Sequence, residues 1–404
     1  MRDAFVGVDA SDAPAVRRMI GDAVSRRALL LAVRPDGDRF ALWARAHAGD
    51  VDWRWVVHAA AAHKLVVLLA ARLADTGIDG SLNAALQRHL FLARAEAVRR
   101  AALAEHTLAT VAAAFAAAGL PCFVIKGSVL ARRVYGEPHL RRFDDVDVVV
   151  HHADVRGAEA QLAALGYRPG GAEGLLAVRP TGDAERARAQ ALTRQFERRH
   201  AAAHAWNAPA DDDLLSVDLH WHISPARLRV EAARLWEQTA PIEIGSTTVH
   251  TFTPAATLIH LAAHAATCLL NGFRLLHLVD VAWAATRFAE HAAATWQLAD
   301  EWRVAPYLAR VLATAEQLFE VDLAVAAASR APRAPRAWIA AATAESFLLD
   351  AANLPRHSLA ARLWREMAWS VATGCVRRNV GVVRAASLAR ARFRYFRWRQ
   401  RPGG

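Results

Sequence analysis

Three aspartates stand at the start of a strongly apolar stretch, FDDVDVVV, at residues 143–150. This stretch predicts a buried β-strand, in which side chains two residues apart share a face, so Asp145 and Asp147 point the same way. Carboxylates so close together repel one another unless solvent or a cation relieves the repulsion. Hard divalent cations prefer oxygen ligands, so the pair is a candidate cation site. The alternative to a cation site is that one aspartate caps a turn and the others are solvated. For a DxD motif taken by itself, this alternative is the more common one.

A second predicted strand, SVDLHWHIS at residues 216–224, supplies a third carboxylate. Its period of two predicts an apolar face made of Val217, Leu219, Trp221 and Ile223. The opposite, polar face carries Asp218, His220 and His222. We expect the apolar face to pack against helices and the polar face to meet solvent or line a cleft. If the two strands lie together, Asp218 completes a site with the first two carboxylates.

The segment FVIKGS ends a short predicted strand with Gly127 and Ser128, where a helix begins. Glycine lets backbone amides approach a phosphate closely, and a helix N-terminus carries partial positive charge. Any strand-to-helix turn can use Gly-Ser, so this signal is weak by itself. Lys126 precedes the turn in a chain whose only other lysine is Lys64. One interpretation is that its ammonium is placed to reach a phosphate or a substrate. Alternatively, Lys126 has no such role and is one of two lysines left by chance in a chain that otherwise uses arginine.

The pattern of elements divides the chain into three regions. Residues 1–118 are predicted to be helical, with helices that close on Gly77 and Gly119 as C-caps. Residues 119–253 are predicted to mix helices and strands. Residues 254–404 are predicted to be helical, with a basic aromatic tail. The fold class predicted is therefore α+β, a small mixed sheet flanked by N-terminal and C-terminal helical regions.

Within the middle region, the first strand is expected at residues 122–125, followed by a helix from Ser128 to about Gly136. A surface helix is expected to end at Gly166. The charged segment from Thr181 to Asn207 is predicted to be one further helix.

Composition bounds the class of protein. With 404 residues, 54% hydrophobic and 22% charged, the chain can bury a large core. The formal net charge of +11 would suit a nucleic-acid partner, but an arginine bias of the kind seen in GC-rich genomes explains it as well, so we do not expect nucleic-acid binding. The tail RARFRYFRWRQRPGG leaves polyanion binding open as the less favoured alternative.

Cysteine usage and hydropathy indicate the compartment. Cys122, Cys268 and Cys375 have no paired spacing, so we expect a reducing compartment and no structural zinc. The N-terminus has no uninterrupted apolar core of the secretory type. Residues 257–285, the most apolar stretch, are interrupted by histidines and charges, which predicts buried helices and no membrane span. We expect a cytoplasmic protein.

Taken in order, these segments resemble the nucleotidyltransferase superfamily of DNA polymerase β-like fold, and more narrowly the bacterial family of uncharacterised nucleotidyltransferases. The resemblance runs from about Val51 to Ala315. It rests on three segments: GLPCFVIKGSVLARRVYGEPHLRRFDDVDVVV, SVDLHWHI and LIHLAAHAATCLLNGFRLLHLVDVAWAA.

The resemblance implies a magnesium-dependent transfer of a nucleoside monophosphate from a nucleoside triphosphate, with ATP the expected one, to a hydroxyl or similar acceptor. Asp145 and Asp147 would bridge two Mg²⁺ ions, and Asp218 would bind the first ion and take the acceptor's proton. Gly127 and Ser128 would form the phosphate turn. A non-catalytic nucleotide-binding or scaffolding subunit, of a biosynthetic cluster or a toxin–antitoxin pair, is the alternative within this fold.

Supporting residues have two interpretations each. Arg141 would pair with the triphosphate, or would hold Asp144 by a salt bridge. His220 would orient the acceptor or Asp218, or would only pack in the cleft wall. His260 and His264 lie one helical turn apart but lack a third metal ligand, so we expect buried histidines in the cleft wall. Arg274 and Asp280 are predicted to be ion-paired supports.

Overall fold

The computed structural model describes residues 21–170, 182–200, 203–209, 214–223, 230–267 and 274–323, together with scattered residues between 339 and 395. Its architecture is α+β, as predicted: a seven-stranded mixed sheet lies between helical layers.

The chain before the sheet is helical, which confirms the prediction for the described part of this region. Its helices are α1 (Ala23–Ala32), α2 (Asp38–His47), α3 (Trp53–Ala62), α4 (Val66–Thr76) and the long α5 (Ala84–Ala117). Asp52 caps α3 and Asn83 caps α5, because each side chain accepts a hydrogen bond from the third amide of its helix, at 3.0 Å. Gly77 follows α4 with a φ of 73°, the left-handed conformation expected of a glycine C-cap.

The described part of the central region holds the seven strands and four α-helices between them. The strands are β1 (Cys122–Ile125), β2 (Asp145–Val150), β3 (Arg168–Pro169), β4 (Ala203–Asn207), β5 (Ser216–His220), β6 (Thr239–Ile244) and β7 (Thr247–Phe252). The helices are α6 (Gly127–Arg133), α7 (Val155–Ala164), α8 (Asp183–His200) and α9 (Ala232–Trp236). The strand order is β3-β4-β5-β2-β1-β7-β6; the β2–β5 and β1–β7 pairs are parallel and the others antiparallel.

The two faces of the sheet belong to different cores. Val146, Val148 and Leu219 pack with α5 and α7 on one face. Phe123 and Val149 face the other way, into a core shared with the N-terminal and C-terminal helices. Strands buried on both faces read as continuous apolar runs, which explains the valines of β2.

The chain after the sheet forms α10 (Pro254–Thr267), α11 (Leu275–Arg287), α12 (Ala292–Glu301) and α13 (Ala305–Phe319). This confirms the predicted helical character of the region for its described residues up to 319. Most of the basic tail lies outside the described residues. Within the described part of the chain, no helix combines the length and the apolarity needed to cross a lipid bilayer.

Three expectations for the central region were wrong or incomplete. The helix predicted from Thr181 to Asn207 ends at His200, and β4 follows it. The alanines there favour a helix, but antiparallel pairing with β5 makes the segment a strand, with His204 and Trp206 buried. Ile223 lies beyond the end of β5 and packs in the core opposite to Val217 and Leu219. The β6–β7 hairpin was not predicted.

Candidate active site

Parallel pairing of β2 with β5 places two of the predicted carboxylates side by side. Asp147 lies directly opposite Asp218, and Val149 lies opposite His220. Residues in register on neighbouring strands project to the same face of the sheet. One ligand atom each from Asp147, Asp218 and His220 lies within 4.8 Å of the other two, so the three side chains could hold one metal ion. Asp145, the remaining carboxylate of the predicted site, is outside this group.

Asp147 is the most buried of these carboxylates, with 4% of its surface exposed. Its Oδ1 atom accepts hydrogen bonds from Lys126 Nζ at 3.0 Å and from His220 Nε2 at 2.9 Å. Burial alone would raise the pKa of Asp147, but the Lys126 charge and the His220 hydrogen bond outweigh it and hold the pKa below its usual value. Asp147 therefore stays ionised.

His220 is neutral in this arrangement, because burial lowers the pKa of its imidazole more than the contact with Asp147 raises it. Since a carboxylate accepts, the ring donates through Nε2, which leaves Nδ1 unprotonated. The buried Nδ1 atom has no hydrogen-bond partner among the described residues. His220 thus fixes the orientation of Asp147 without adding positive charge.

Asp145 stands in a different environment from Asp147, although both belong to the same strand. Burial, and next the negative charge of Asp147, raise the pKa of Asp145 to about 6. Lys126 and Lys64 oppose this shift without overcoming it. Burial and the charge of Asp147 thus destabilise the ionised form of Asp145. A cation bound between the two carboxylates would stabilise that form.

The predicted glycine-serine turn lies beside these carboxylates. Lys126 has a φ of 53° and Gly127 a φ of 29°, so two successive residues leave the usual backbone region as β1 turns into α6. A β-carbon on Gly127 would lie 3.4 Å from the Asp145 carbonyl oxygen. Ser128 follows, with 8% of its surface exposed. The turn thus sits against the first residue of β2.

Asp144 is surrounded by cations from the N-terminal region and the loop before β2. Lys64 Nζ lies 2.7 Å from its Oδ2 atom, and the guanidinium groups of Arg100 and Arg142 lie 3.6 and 3.5 Å from Oδ1. Arg100 also donates to the backbone oxygens of Phe143 and Asp144, at 2.9 and 2.8 Å. These cations offset the charge of Asp144, the first of the three aspartates in the segment.

Arg141 forms a buried ion pair that links the loop before β2 to α11. Its Nε and Nη2 atoms donate to the two carboxylate oxygens of Asp280, both at 2.8 Å. Tyr135 donates a third hydrogen bond to Asp280 at 2.7 Å. The exposed fractions are 8% for Arg141 and 3% for Asp280. Asp280 is therefore an ion-paired support, as predicted, and its partner is Arg141; Arg141 does not pair with Asp144.

Three histidines of α10 and α11 lie near the site, close enough to interact electrostatically with Lys126. The rings of His260 and His264 are 6.2 Å apart and those of His264 and His277 are 4.9 Å apart. Burial lowers the pKa of all three, that of His277 to about 3, so they are neutral. Among the described residues, the only cluster of three candidate metal ligands is the one around Asp147. That the histidines form a wall of the active cleft stays a prediction.

Sequence reasoning missed the contribution of the N-terminal region to this site. Lys64 lies 80 residues before Asp144 in the chain, and Arg100 lies 44 residues before it. The one available signal was the rarity of lysine: the chain contains two, and both contact an aspartate of the FDDVD segment.

Comparison with known proteins places these residues in a family. Residues 49–320, which include every residue of the site described above, match the family described as "Uncharacterised nucleotidyltransferase". No curated protein matches the sequence. A solved structure that is similar is the solution structure of the antibiotic-resistance factor ANT(2'')-Ia, with 13% identity, a TM-score of 0.32, and coverage of 49% of this chain and 91% of that one.

Proposed function

Because the chain belongs to the uncharacterised nucleotidyltransferase family, we propose that it moves a nucleoside monophosphate from a nucleoside triphosphate to a hydroxyl or similar acceptor on a small molecule, peptide or protein. One observation carries this proposal: Asp147 and Asp218 lie opposite each other on adjacent parallel strands, with His220 beside them. ATP is the triphosphate that we propose first.

The donor set fits a divalent cation. Two carboxylates offer the hard oxygen ligands that Mg²⁺ and Mn²⁺ prefer. We propose that Asp147 and Asp218 hold the ion and that Asp145 joins them, because it lies two residues before Asp147 on the same strand. Burial, and next the charge of Asp147, raise the pKa of Asp145, and a shared cation would offset both effects. Mg²⁺ at this position would neutralise phosphate oxygens and polarise the reacting phosphorus.

The remaining residues have proposed roles that follow from where they lie. Lys126 now pairs with Asp147. Once a bound cation neutralises the charge of Asp147, the Lys126 ammonium would be available to bind a phosphate oxygen. Gly127 and Ser128 would offer backbone and hydroxyl donors at the turn beside Asp145. His220 would keep Asp147 oriented.

For Arg141 we propose a supporting role in place of direct triphosphate binding. Its Nε and Nη2 donors are both engaged with Asp280, and the pair is buried. The ion pair fixes the loop that leads into β2 at a point four residues before Asp145, the first residue of that strand. Arg141 is thus a positioning residue for the aspartates.

The test is a screen of the four common triphosphates with Mg²⁺ or Mn²⁺, read by thermal shift and by pyrophosphate release. We expect at least one triphosphate to raise the melting temperature, and only when a divalent cation is present. The substitutions Asp147→Asn and Asp218→Asn should each remove that rise. Asp50→Asn, an isosteric change at an exposed carboxylate in the N-terminal region, should leave it intact.

The outcomes separate the alternatives. A metal-dependent rise in melting temperature, with no pyrophosphate and no labelled product after incubation with labelled triphosphate and cell extract, would favour the non-catalytic nucleotide-binding subunit. An unchanged rise in folded Asp147→Asn and Asp218→Asn proteins would refute the proposed site. A product, if formed, is identified by the mass that its acceptor gains.

A further inference from the structure

The two lysines of this chain share an uncommon set of properties. The chain has 50 lysine and arginine residues, and only two of them are lysines. Both have a positive φ, 62° for Lys64 and 53° for Lys126, and both ammonium groups contact the FDDVD segment. Lys126 compensates Asp147, and Lys64 compensates Asp144. The two cations therefore contact different aspartates of the same short segment, and the charges of both reach Asp145.

The backbone at Lys64 would suit a glycine better. Lys64 follows His63, the C-cap of α3, in the left-handed position where helices commonly place glycine. The left-handed conformation disfavours any residue that carries a β-carbon. Both ring nitrogens of His63 hold the turn in place. Nδ1 accepts a hydrogen bond from the Leu275 amide at 3.0 Å, so the ring proton is on Nε2, which donates to the Leu349 carbonyl at 2.7 Å. The position is thus occupied by a lysine that contacts Asp144, although a glycine would adopt this backbone conformation with less strain.

Three cationic side chains gather around Asp144, one of which, Arg100, also pairs with Glu96. Lys64, Arg100 and Arg142 all lie within 3.6 Å of it, and the charge of Lys64 also reaches Asp145. Arg100 is committed to two backbone oxygens as well. The Lys64 side chain, in contrast, is 38% exposed, and its compact ammonium on a flexible stem can change partners more easily than a forked guanidinium.

We propose that Lys64 is a second polyphosphate-binding residue, which the N-terminal helical region contributes to the site and which Asp144 holds in place until a triphosphate enters. This inference rests on the proposed function. Lys126 would meet the phosphate nearest the Asp147–Asp218 pair, and Lys64 would meet the distal phosphates on the Asp144 side. A monophosphate, which lacks the distal phosphates, would not contact Lys64.

The test compares binding of a triphosphate and of its monophosphate, with Mg²⁺, by isothermal titration calorimetry; ATP and AMP are used unless the screen above selects another base. Lys64→Met should weaken triphosphate binding about ten-fold or more, the size of one lost hydrogen bond to a charged group. Monophosphate binding should change less than about two-fold. Asp144→Asn, which releases Lys64, should not weaken triphosphate binding.

Arg27→Met is the matched control, since Arg27 lies 2.7 Å from Glu320 in an ion pair of similar exposure. It should leave both affinities unchanged. The inference is overturned if Lys64→Met binds the triphosphate as the wild type does, or if it weakens both nucleotides equally, which a purely structural Lys64–Asp144 pair would produce. Absence of any triphosphate binding to the wild-type protein would refute the proposed function itself, and is thereby distinguished from failure of the Lys64 assignment alone.

Discussion

The buried pair between Arg141 and Asp280 leads to a strong prediction about stability. Replacing Arg141 by methionine removes two hydrogen bonds of 2.8 Å and leaves the Asp280 carboxylate with the single hydrogen bond from Tyr135. Asp280 is 3% exposed, so water cannot replace the lost partner. A buried charge that loses its partner typically costs about 3–5 kcal/mol. We expect Arg141→Met to lower the free energy of unfolding by that amount.

Urea unfolding at pH 7.5, followed by tryptophan fluorescence, measures this change. Trp283 stacks on Tyr135, with ring centroids 4.6 Å apart, so one of the reporting fluorophores lies next to the pair. In the double variant Arg141→Met with Asp280→Leu, no unpaired charge is left. We therefore expect it to lose less stability than the sum of the two single changes, by about 1–3 kcal/mol.

The alternative, that Arg141 is a triphosphate ligand, gives a different pattern. An Arg141→Met protein that loses less than about 1 kcal/mol of stability, shows additive effects with Asp280→Leu, and still fails to bind triphosphate would refute the supporting role. A protein that is strongly destabilised, yet whose folded fraction binds triphosphate, would agree with it.

Two further predictions concern pH and the turn. Burial keeps the pKa of His277 at about 3 and those of His260 and His264 well below 6.5, so the folded state keeps these rings neutral while the unfolded chain protonates them. The stability that these neutral rings contribute is thus fully present above about pH 6.5 and is lost as the pH falls below it. For His277 the loss is about 2 kcal/mol at pH 5, and His260 and His264 add to it in the same direction. Urea unfolding at pH 7.5 and pH 5 should show this loss, and His277→Asn should reduce it by one ring's share; an equal loss in that variant would contradict the assignment. Gly127→Ala, at a φ of 29°, should lower the free energy of unfolding by about 1–3 kcal/mol, measured in the same assay, and a neutral result would show that the turn relaxes.

The local parts of the site could be predicted from the sequence because their signals are local. Alternation places Asp145 with Asp147, and Asp218 with His220, whatever the rest of the fold is. The apolar run of β1 followed by Gly127 and Ser128 predicts a strand-to-helix turn, and the structure has one there. The segment before β5 shows the opposite case, because the alanines that precede Asn207 favour a helix and only pairing with β5 makes β4 a strand.

Which groups meet across the chain was decided by tertiary structure alone. The Asp147–His220 contact joins residues 73 positions apart, and the Arg141–Asp280 pair joins residues 139 apart. Asp145 and Asp147 look equivalent in the sequence, yet burial beside Asp147 raises the pKa of Asp145 to about 6, whereas Lys126 and His220 hold that of Asp147 low against its own burial. The sequence determined which side chains share a face, since backbone geometry repeats every two residues. The folded chain determined their charge, because protonation depends on desolvation and on partners that arrive from distant elements.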